Sequence, residues 1–386
     1  MTISYKNKKT KEEILTKAKS VDKLLPAVNT KKSLLIKGDN FFALSNLLDN
    51  YANSIDLIYI DPPYNTKQDF VVSDGRNNSV SRLNSGFVAY SDNMSNEEYL
   101  EFMRERLVLL RELLSDRGSI YLHIDVKMGH YLKVIMDEIF GSENFKNDIA
   151  RIKTNPKNFS RKAFGNERDM ILFYSKNNKI NIFNDIKKPL TDLEIDQNFS
   201  KIDEKGNKYN TIPVHAPGET KYGNTGKLWR GMLPPKGRHW RTSPAELDEL
   251  DNQGLIEWSS TGNPRIKKYA KEHTGKKIQD VWLFKDPLNP IYPTEKNMDM
   301  LELIIKQSSN ENSIVLDCFA GSGSTLFSAL KLNRRFIGID KSDISIETML
   351  GRLKNIAYFD FIDISDEKDL SKELKPKDFS FELTSL

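Results

Sequence analysis

Four adjacent residues, Asp61-Pro62-Pro63-Tyr64, put an acid, two proline carbonyls and an aromatic ring into one turn. They follow Ile55-Asp56-Leu57-Ile58-Tyr59-Ile60, a short apolar run with the character of a buried strand. Neither proline has a backbone donor, so the chain must leave the sheet here. The acid and the ring are thereby set at the strand's carboxyl end, the edge of an open α/β sheet where ligands bind. An acid, a carbonyl that no helix has claimed and a flat ring make a clamp for a planar amine. A nucleic-acid base is the obvious planar amine.

A second chemistry-bearing turn lies far downstream. Val315-Leu316-Asp317-Cys318-Phe319-Ala320-Gly321-Ser322-Gly323-Ser324-Thr325 reads as a strand, a glycine turn and a helix start. Glycines let the backbone approach a ligand closely, and a helix amino terminus favours a carboxylate or phosphate. The spacing is G-x-G without the third glycine of the dinucleotide fingerprint, and the turn has no Walker lysine, which argues against ATP hydrolysis. Arg335 to Ile339 forms the next strand and ends in Asp340, where an acid commonly grips ribose hydroxyls. Taken alone the G-x-G also fits a tight structural turn. Strand, turn, helix, strand and acid in register point to a nucleoside cofactor.

These turns need a sheet to hold them. Leu34-Leu35-Ile36 reads as a strand ending at Gly38-Asp39-Asn40, and Phe41 to Leu48 as a helix. Ser95 to Leu114 is a strong helix, with Ser95 and Glu98 as a capping box and Tyr99, Phe102, Met103, Leu107, Leu110 and Leu114 as its apolar stripe. Ser119 to Ile124, Ile149 to Ile152 and Met170 to Tyr174 read as strands, His130 to Phe140 and Tyr292 to Gln307 as helices. The alternation predicts an α/β sheet with crossover helices. Thr66 to Ser95 lacks periodicity and reads as a long loop, either a lid or simply solvated.

Between these halves the pattern changes. Residues 176–286 carry more charge, Asn, Gly and Pro, with bases and aromatics interleaved around Lys227, Trp229, Arg230, Lys236, Arg238, His239, Trp240 and Arg241. An inserted domain is expected. Its tryptophans, Trp229, Trp240, Trp258 and Trp282, read as a small core, and Lys236, Arg238 and Arg241 as nucleic-acid contacts. The domain plan is 1–32 a basic extension, 33–175 and 287–358 the two halves of one domain, 176–286 the insert and 359–386 a tail. His123 and Asp125 read as structural residues and Cys318 as packing. No His or carboxylate pairs have metal-ligand spacing.

The 386 residues suffice for about two or three domains. A hydrophobic content of 38% and a charged content of 29% describe a soluble globular protein. The net charge of +4 permits a nucleic-acid partner without demanding one. No apolar run reaches the roughly 20 residues of a membrane helix, and a single cysteine points to a reducing cytoplasm.

Asp61-Pro62-Pro63-Tyr64 together with Phe319-Ala320-Gly321-Ser322-Gly323 resembles the two signature motifs of amino-group DNA methyltransferases. The catalytic motif precedes the cofactor motif, with the variable segment between them. That order resembles the β group, restriction–modification enzymes that modify adenine N6 or cytosine N4. Tyr292-Pro293-Thr294-Glu295-Lys296 falls where the family has H-P-T-Q-K-P and departs from it at Tyr292, Glu295 and Asn297. The resemblance implies a Rossmann-like, mostly parallel sheet with helices on both faces and an inserted target-recognition domain. It implies S-adenosylmethionine as cofactor, bound by Asp39, Asn40, Asp61, Thr294, Lys296, Asp317, Phe319, Ala320, Gly321, Gly323 and Asp340. Asp61, Pro62, Pro63 and Tyr64 would be catalytic. Double-stranded DNA would be the substrate, met by Arg76, Arg82, Lys236, Arg238 and Arg241, with the target base flipped out. Asp61 favours adenine, since the N4-cytosine enzymes more often carry Ser there. Cytosine N4 methylation is the alternative chemistry, and a catalytically inactive DNA-binding subunit the alternative class. A homodimer and a cognate restriction endonuclease are the implied protein partners.

Overall fold

The computed structural model describes residues 2–23, 25, 31–64, 69–72, 87–91, 94–155, 160, 162–220, 222–288, 290, 292, 295–354 and 359–365, with 69–72 and 87–91 described by backbone alone. The chain divides into two compact units, Met1–Asp185 with Gln279–Leu386, and Ile186–Ile278.

The first unit is built on a nine-stranded sheet. Its strands are β1 (Ser33–Lys37), β2 (Ile55–Ile60), β3 (Leu114–Ile124), β4 (Phe145–Ile152), β5 (Arg168–Ser175), β6 (Val281–Leu283), β7 (Ile314–Asp317), β8 (Arg335–Asp340) and β9 (Phe359–Asp363). The spatial order is β6-β4-β5-β3-β2-β7-β8-β1-β9. β5 is antiparallel to both its neighbours, and every other neighbouring pair runs parallel. β2 and β7 lie side by side, with Val315 opposite Leu57 and Leu316 opposite Ile58. From β2 the chain continues outward to β3, and from β7 outward on the other side to β8. The carboxyl ends of β2 and β7 therefore flank a topological switch point.

Helices cover both faces. On one, α1 (Lys11–Lys19), α2 (Asn40–Tyr51), α3 (Asn96–Leu113) and α4 (Val126–Phe140) share a core with Leu34, Ile36, Ile58, Ile60, Ile120, Leu122, Leu316, Cys318, Ile337 and Ile339. Alternate strand residues point the other way. The Tyr121 hydroxyl meets Ser308 Oγ of α5 (Met298–Ser308) at 2.7 Å. Gly338 makes room for Leu326 of α6 (Ser324–Lys331), since a Cβ there would lie 2.4 Å from Leu326 Cδ1. α7 (Asp343–Leu353) follows β8.

Helix starts follow the capping residues. Ser95 and Glu98 form the expected reciprocal box at α3. Asp125 accepts the Lys127 and Met128 N–H groups, so α4 begins at Val126, earlier than periodicity shows. Asn297 accepts the Met300 N–H, so α5 begins at Met298 and not at Tyr292.

Several boundaries differ from the sequence reading. The stretch read as a loop from Thr66 to Ser95 contains an antiparallel pair, Asp69–Val72 with Phe87–Ser91. The compact insert spans Ile186–Ile278 rather than 176–286. Residues 176–185 stay with the first unit through bonds such as Ile182 N–H to the Arg117 carbonyl (2.9 Å). Val281–Leu283 pairs parallel to β4, so Trp282 belongs to the main sheet and not to the insert's core. The tail begins as strand β9, parallel to β1.

The second unit holds a four-stranded antiparallel sheet of Ile256–Trp258, Pro264–Tyr269, Lys208–Pro213 and Lys201–Ile202. His215–Pro217 pairs with Arg238–Trp240. Val214, Trp229, Trp240, Leu247, Ile256 and Ile266 form its core. Trp258 stacks on Trp229 at 5.5 Å but remains 37% exposed.

Candidate active site

A single cavity of the first unit gathers both turns. Asp39, Asn40, Asp61, Pro62, Pro63, Tyr64, Lys296, Asp317, Phe319, Ala320, Gly321 and Asp340 all line it, joined by Tyr59, Tyr99, Phe102 and Tyr292. Gly323 is not in the lining. At φ +74° it turns the chain into α6, and Met349 packs where its Cβ would stand. Thr294, Arg76 and Arg82 lie outside the described residues.

The end of the cavity where the sequence reading expects the cofactor is made by β7, β8 and β1. The Gly321 N–H donates to Asp340 Oδ2 at 2.9 Å and the Ser342 N–H to Asp340 Oδ1 at 2.9 Å. The Phe319 N–H donates to Asp317 Oδ1 at 3.0 Å. Burial pushes the Asp317 carboxyl up to about 7 and raises that of Asp340. A ligand bringing a cation and hydroxyl donors would stabilise both acids in their ionised form. Asn40 Nδ2 donates to the Cys318 carbonyl at 2.9 Å, and Asn40 Oδ1 accepts from Arg106 Nε at 2.6 Å. Arg106, 4% exposed, also reaches Asp39 and lies over the Phe102 ring, which packs against Phe319. The sequence reading counted Phe102 only in the helix stripe and passed over Arg106.

The Tyr292, Glu295 and Asn297 departures have local partners. Tyr292 bonds Ser345 at 2.9 Å and lies against Gly321. Glu295 pairs with Arg352, and Asn297 caps α5.

At the other end, the Tyr64 hydroxyl donates to Asp61 Oδ1 at 2.8 Å. Lys296 Nζ is 2.5 Å from Asp61 Oδ2. Burial and the Asp61 charge raise the Tyr64 phenol well above its ordinary value, so it remains a donor. Behind Asp61, His123 is fully buried and satisfied. Its Nδ1 meets the Tyr59 hydroxyl at 2.8 Å and its Nε2 meets Asp169 at 3.2 Å. Burial lowers its pKa, which keeps the ring neutral at physiological pH. Burial opposes ionisation of Asp169, but the His123 bond and the Lys153 charge hold its carboxyl well below the usual range. His123 is a structural residue as read, and it backs the acid at 4.0 Å.

In the second unit, Lys236, Arg238 and Arg241 are exposed along one hairpin, which Gly218 and Gly237 close. Among the described residues no group of His, Cys, Asp and Glu could hold a metal. No described helix is long and apolar enough to cross a membrane.

A family described as DNA methylase matches residues 55–349. The type II methyltransferase M.EcaI of Enterobacter cloacae is 41% identical over 365 residues, which covers 91% of this chain and 77% of that protein. The type III restriction-modification enzyme StyLTI Mod subunit of Salmonella typhimurium is 28% identical over 78% of this chain. The chain spans 50% of that subunit's length. Among solved structures, the M1.HpyAVI-SAM complex aligns with a TM-score of 0.42 at 18% identity, covering 83% of this chain and 98% of that one. The match over most of the chain, together with an acid-and-ring turn facing a glycine turn across one cavity, makes this chain a member of the N6/N4 family of DNA methylases, of restriction–modification type.

Proposed function

We propose that the chain methylates adenine at N6 in double-stranded DNA at a specific sequence, with S-adenosylmethionine as methyl donor. The observation that carries the reading is the Asp61 carboxylate, held beside the Tyr64 ring at the cavity shared with the Gly321 turn.

Adenine's exocyclic nitrogen is a poor nucleophile, because its lone pair is delocalised into the ring. Asp61 and the Pro62 carbonyl accept its two hydrogens and draw the nitrogen toward tetrahedral geometry. Its lone pair then points away from the ring plane. Tyr64 supports the base from one side. Asp340 binds ribose hydroxyls, Asp317 a cationic group, and Phe319 with Phe102 an aromatic wall. S-adenosylmethionine supplies a methyl group on a positive sulfur. Positioning provides most of the acceleration, and the fixed acceptors add electrostatic stabilisation as charge develops on nitrogen. The methylated nitrogen loses one proton, and an Asp61 oxygen already bonded to that hydrogen takes it.

The target base leaves the duplex to reach this cavity. Lys236, Arg238 and Arg241 meet the DNA. A second copy of the chain and a restriction endonuclease are its proposed partners. Long-read sequencing of DNA from a methylation-free host expressing the chain tests the reading. Modified adenines within one recurring sequence are expected, and modification of cytosine alone would overturn the adenine assignment.

A further inference from the structure

Both Asp61 oxygens are taken in this structure: Oδ1 by the Tyr64 hydroxyl at 2.8 Å and Oδ2 by Lys296 Nζ at 2.5 Å. The pair is sheltered, with the Lys296 side chain 11% exposed and that of Asp61 15%. The same ammonium lies 5.5 Å from the centre of the Tyr64 ring. A carboxylate oxygen and the face of this ring are also what the amino group of a stacked base would meet. An ammonium is also the stronger donor of the two.

We propose that Lys296 is a placeholder for the target amine. It aligns the Asp61 carboxylate before the base arrives, and it must give up Oδ2 when the base stacks on Tyr64. Lys296 is thus a positioning residue acting through Asp61, and not a grip on the cofactor. Its displacement sets an energetic threshold for base flipping: a base whose amino group donates well to Asp61 displaces the ammonium, and one that lacks this donor does not. Asn297, the next residue, caps α5, so the proposed movement is that of the lysine side chain. The inference rests on Asp61 as the amine's acceptor.

The test uses the full chain, its recognition duplex with adenine at the target position and 2-aminopurine as its neighbour, and sinefungin in the cofactor pocket. Fluorescence of the neighbouring 2-aminopurine, which rises when the target adenine leaves the stack, reports the flipped base. Lys296→Met leaves Oδ2 with no competing donor and should raise the flipped fraction by about three- to tenfold, whereas Lys296→Arg should stay near wild type. Sinefungin affinity by calorimetry should change less than about twofold in both variants. An unchanged or lower flipped fraction in Lys296→Met, with sinefungin still bound, would overturn the placeholder. So would loss of sinefungin binding, which returns Lys296 to the cofactor. If the wild-type chain methylates no DNA, it is the proposed function that fails.

Discussion

The Tyr64 hydroxyl donates to Asp61 Oδ1 at 2.8 Å, so the ring proposed to stack on the base also steers the acid proposed to polarise its amine. The sequence makes Tyr64 a flat surface, on which Phe would serve equally well. With the hydrogen bond present, Tyr64→Phe should lower kcat by about tenfold, the value of one hydrogen bond to a charged group, with little change in KM for DNA. Tyr64→Ala should lose the stack as well and raise that KM further. Steady-state kinetics on a defined duplex separate the two, and equal rates for wild type and Tyr64→Phe would make the bond incidental.

Asp317, proposed to meet the cofactor's cationic group, should make cofactor binding depend on pH. Its carboxyl is raised from 3.8 to about 7 by burial. Between those values the folded protein keeps a proton that the unfolded chain has lost, so this group makes the ligand-free protein less stable as pH rises through that window. A cationic ligand pairs with the ionised acid. Affinity should therefore rise with pH up to about 7, by at most about tenfold per unit, and then level off. Asp340, also raised by burial, has the same sign. Calorimetry near pH 6 in buffers of different ionisation heat should show proton release on binding, and Asp317→Asn should reduce that release to the part Asp340 contributes. Proton uptake would reverse the assignment.

Lys236 and Arg238 are exposed on the hairpin of the second unit. Lys236→Ala and Arg238→Ala should each weaken DNA binding and reduce the slope of log affinity against log salt by about 0.9 for each phosphate that is no longer neutralised. Cofactor affinity should not move. A salt titration by fluorescence anisotropy that shows wild-type slopes in both variants would place the DNA-binding surface elsewhere.

How much of this was legible depended on how local the signal was. The ends of β2 and β7 are short apolar runs stopped by Pro62 and by a glycine turn, and the Ser95–Glu98 box sits where its spacing puts it. Both turns could therefore be read before their meeting was seen. Val281–Leu283 could not, because a three-residue edge strand carries no periodicity and its pairing partner is β4, far back in the chain. The strand Phe359–Asp363 carries two acids among its five residues and gains its place by pairing with β1. Lys296 was readable only as part of a motif. Its bond with Asp61 joins residues more than two hundred positions apart, and no spacing rule reaches that far. Arg106 is similar: in α3 it reads as a polar position, and its burial follows from Asp39, Asn40 and Phe102 converging on it.

Asp61 is proposed to present adenine's amino nitrogen for methylation. The most direct measurement incubates purified wild type and Asp61→Ala with unmethylated DNA and S-adenosylmethionine carrying a deuterated methyl group, then digests the DNA to nucleosides for mass spectrometry. Labelled N6-methyladenine is expected from the wild type. From Asp61→Ala at least about a hundredfold less is expected, with cofactor and DNA binding retained. Labelled N4-methylcytosine alone, or equal N6-methyladenine from both proteins, would contradict this role.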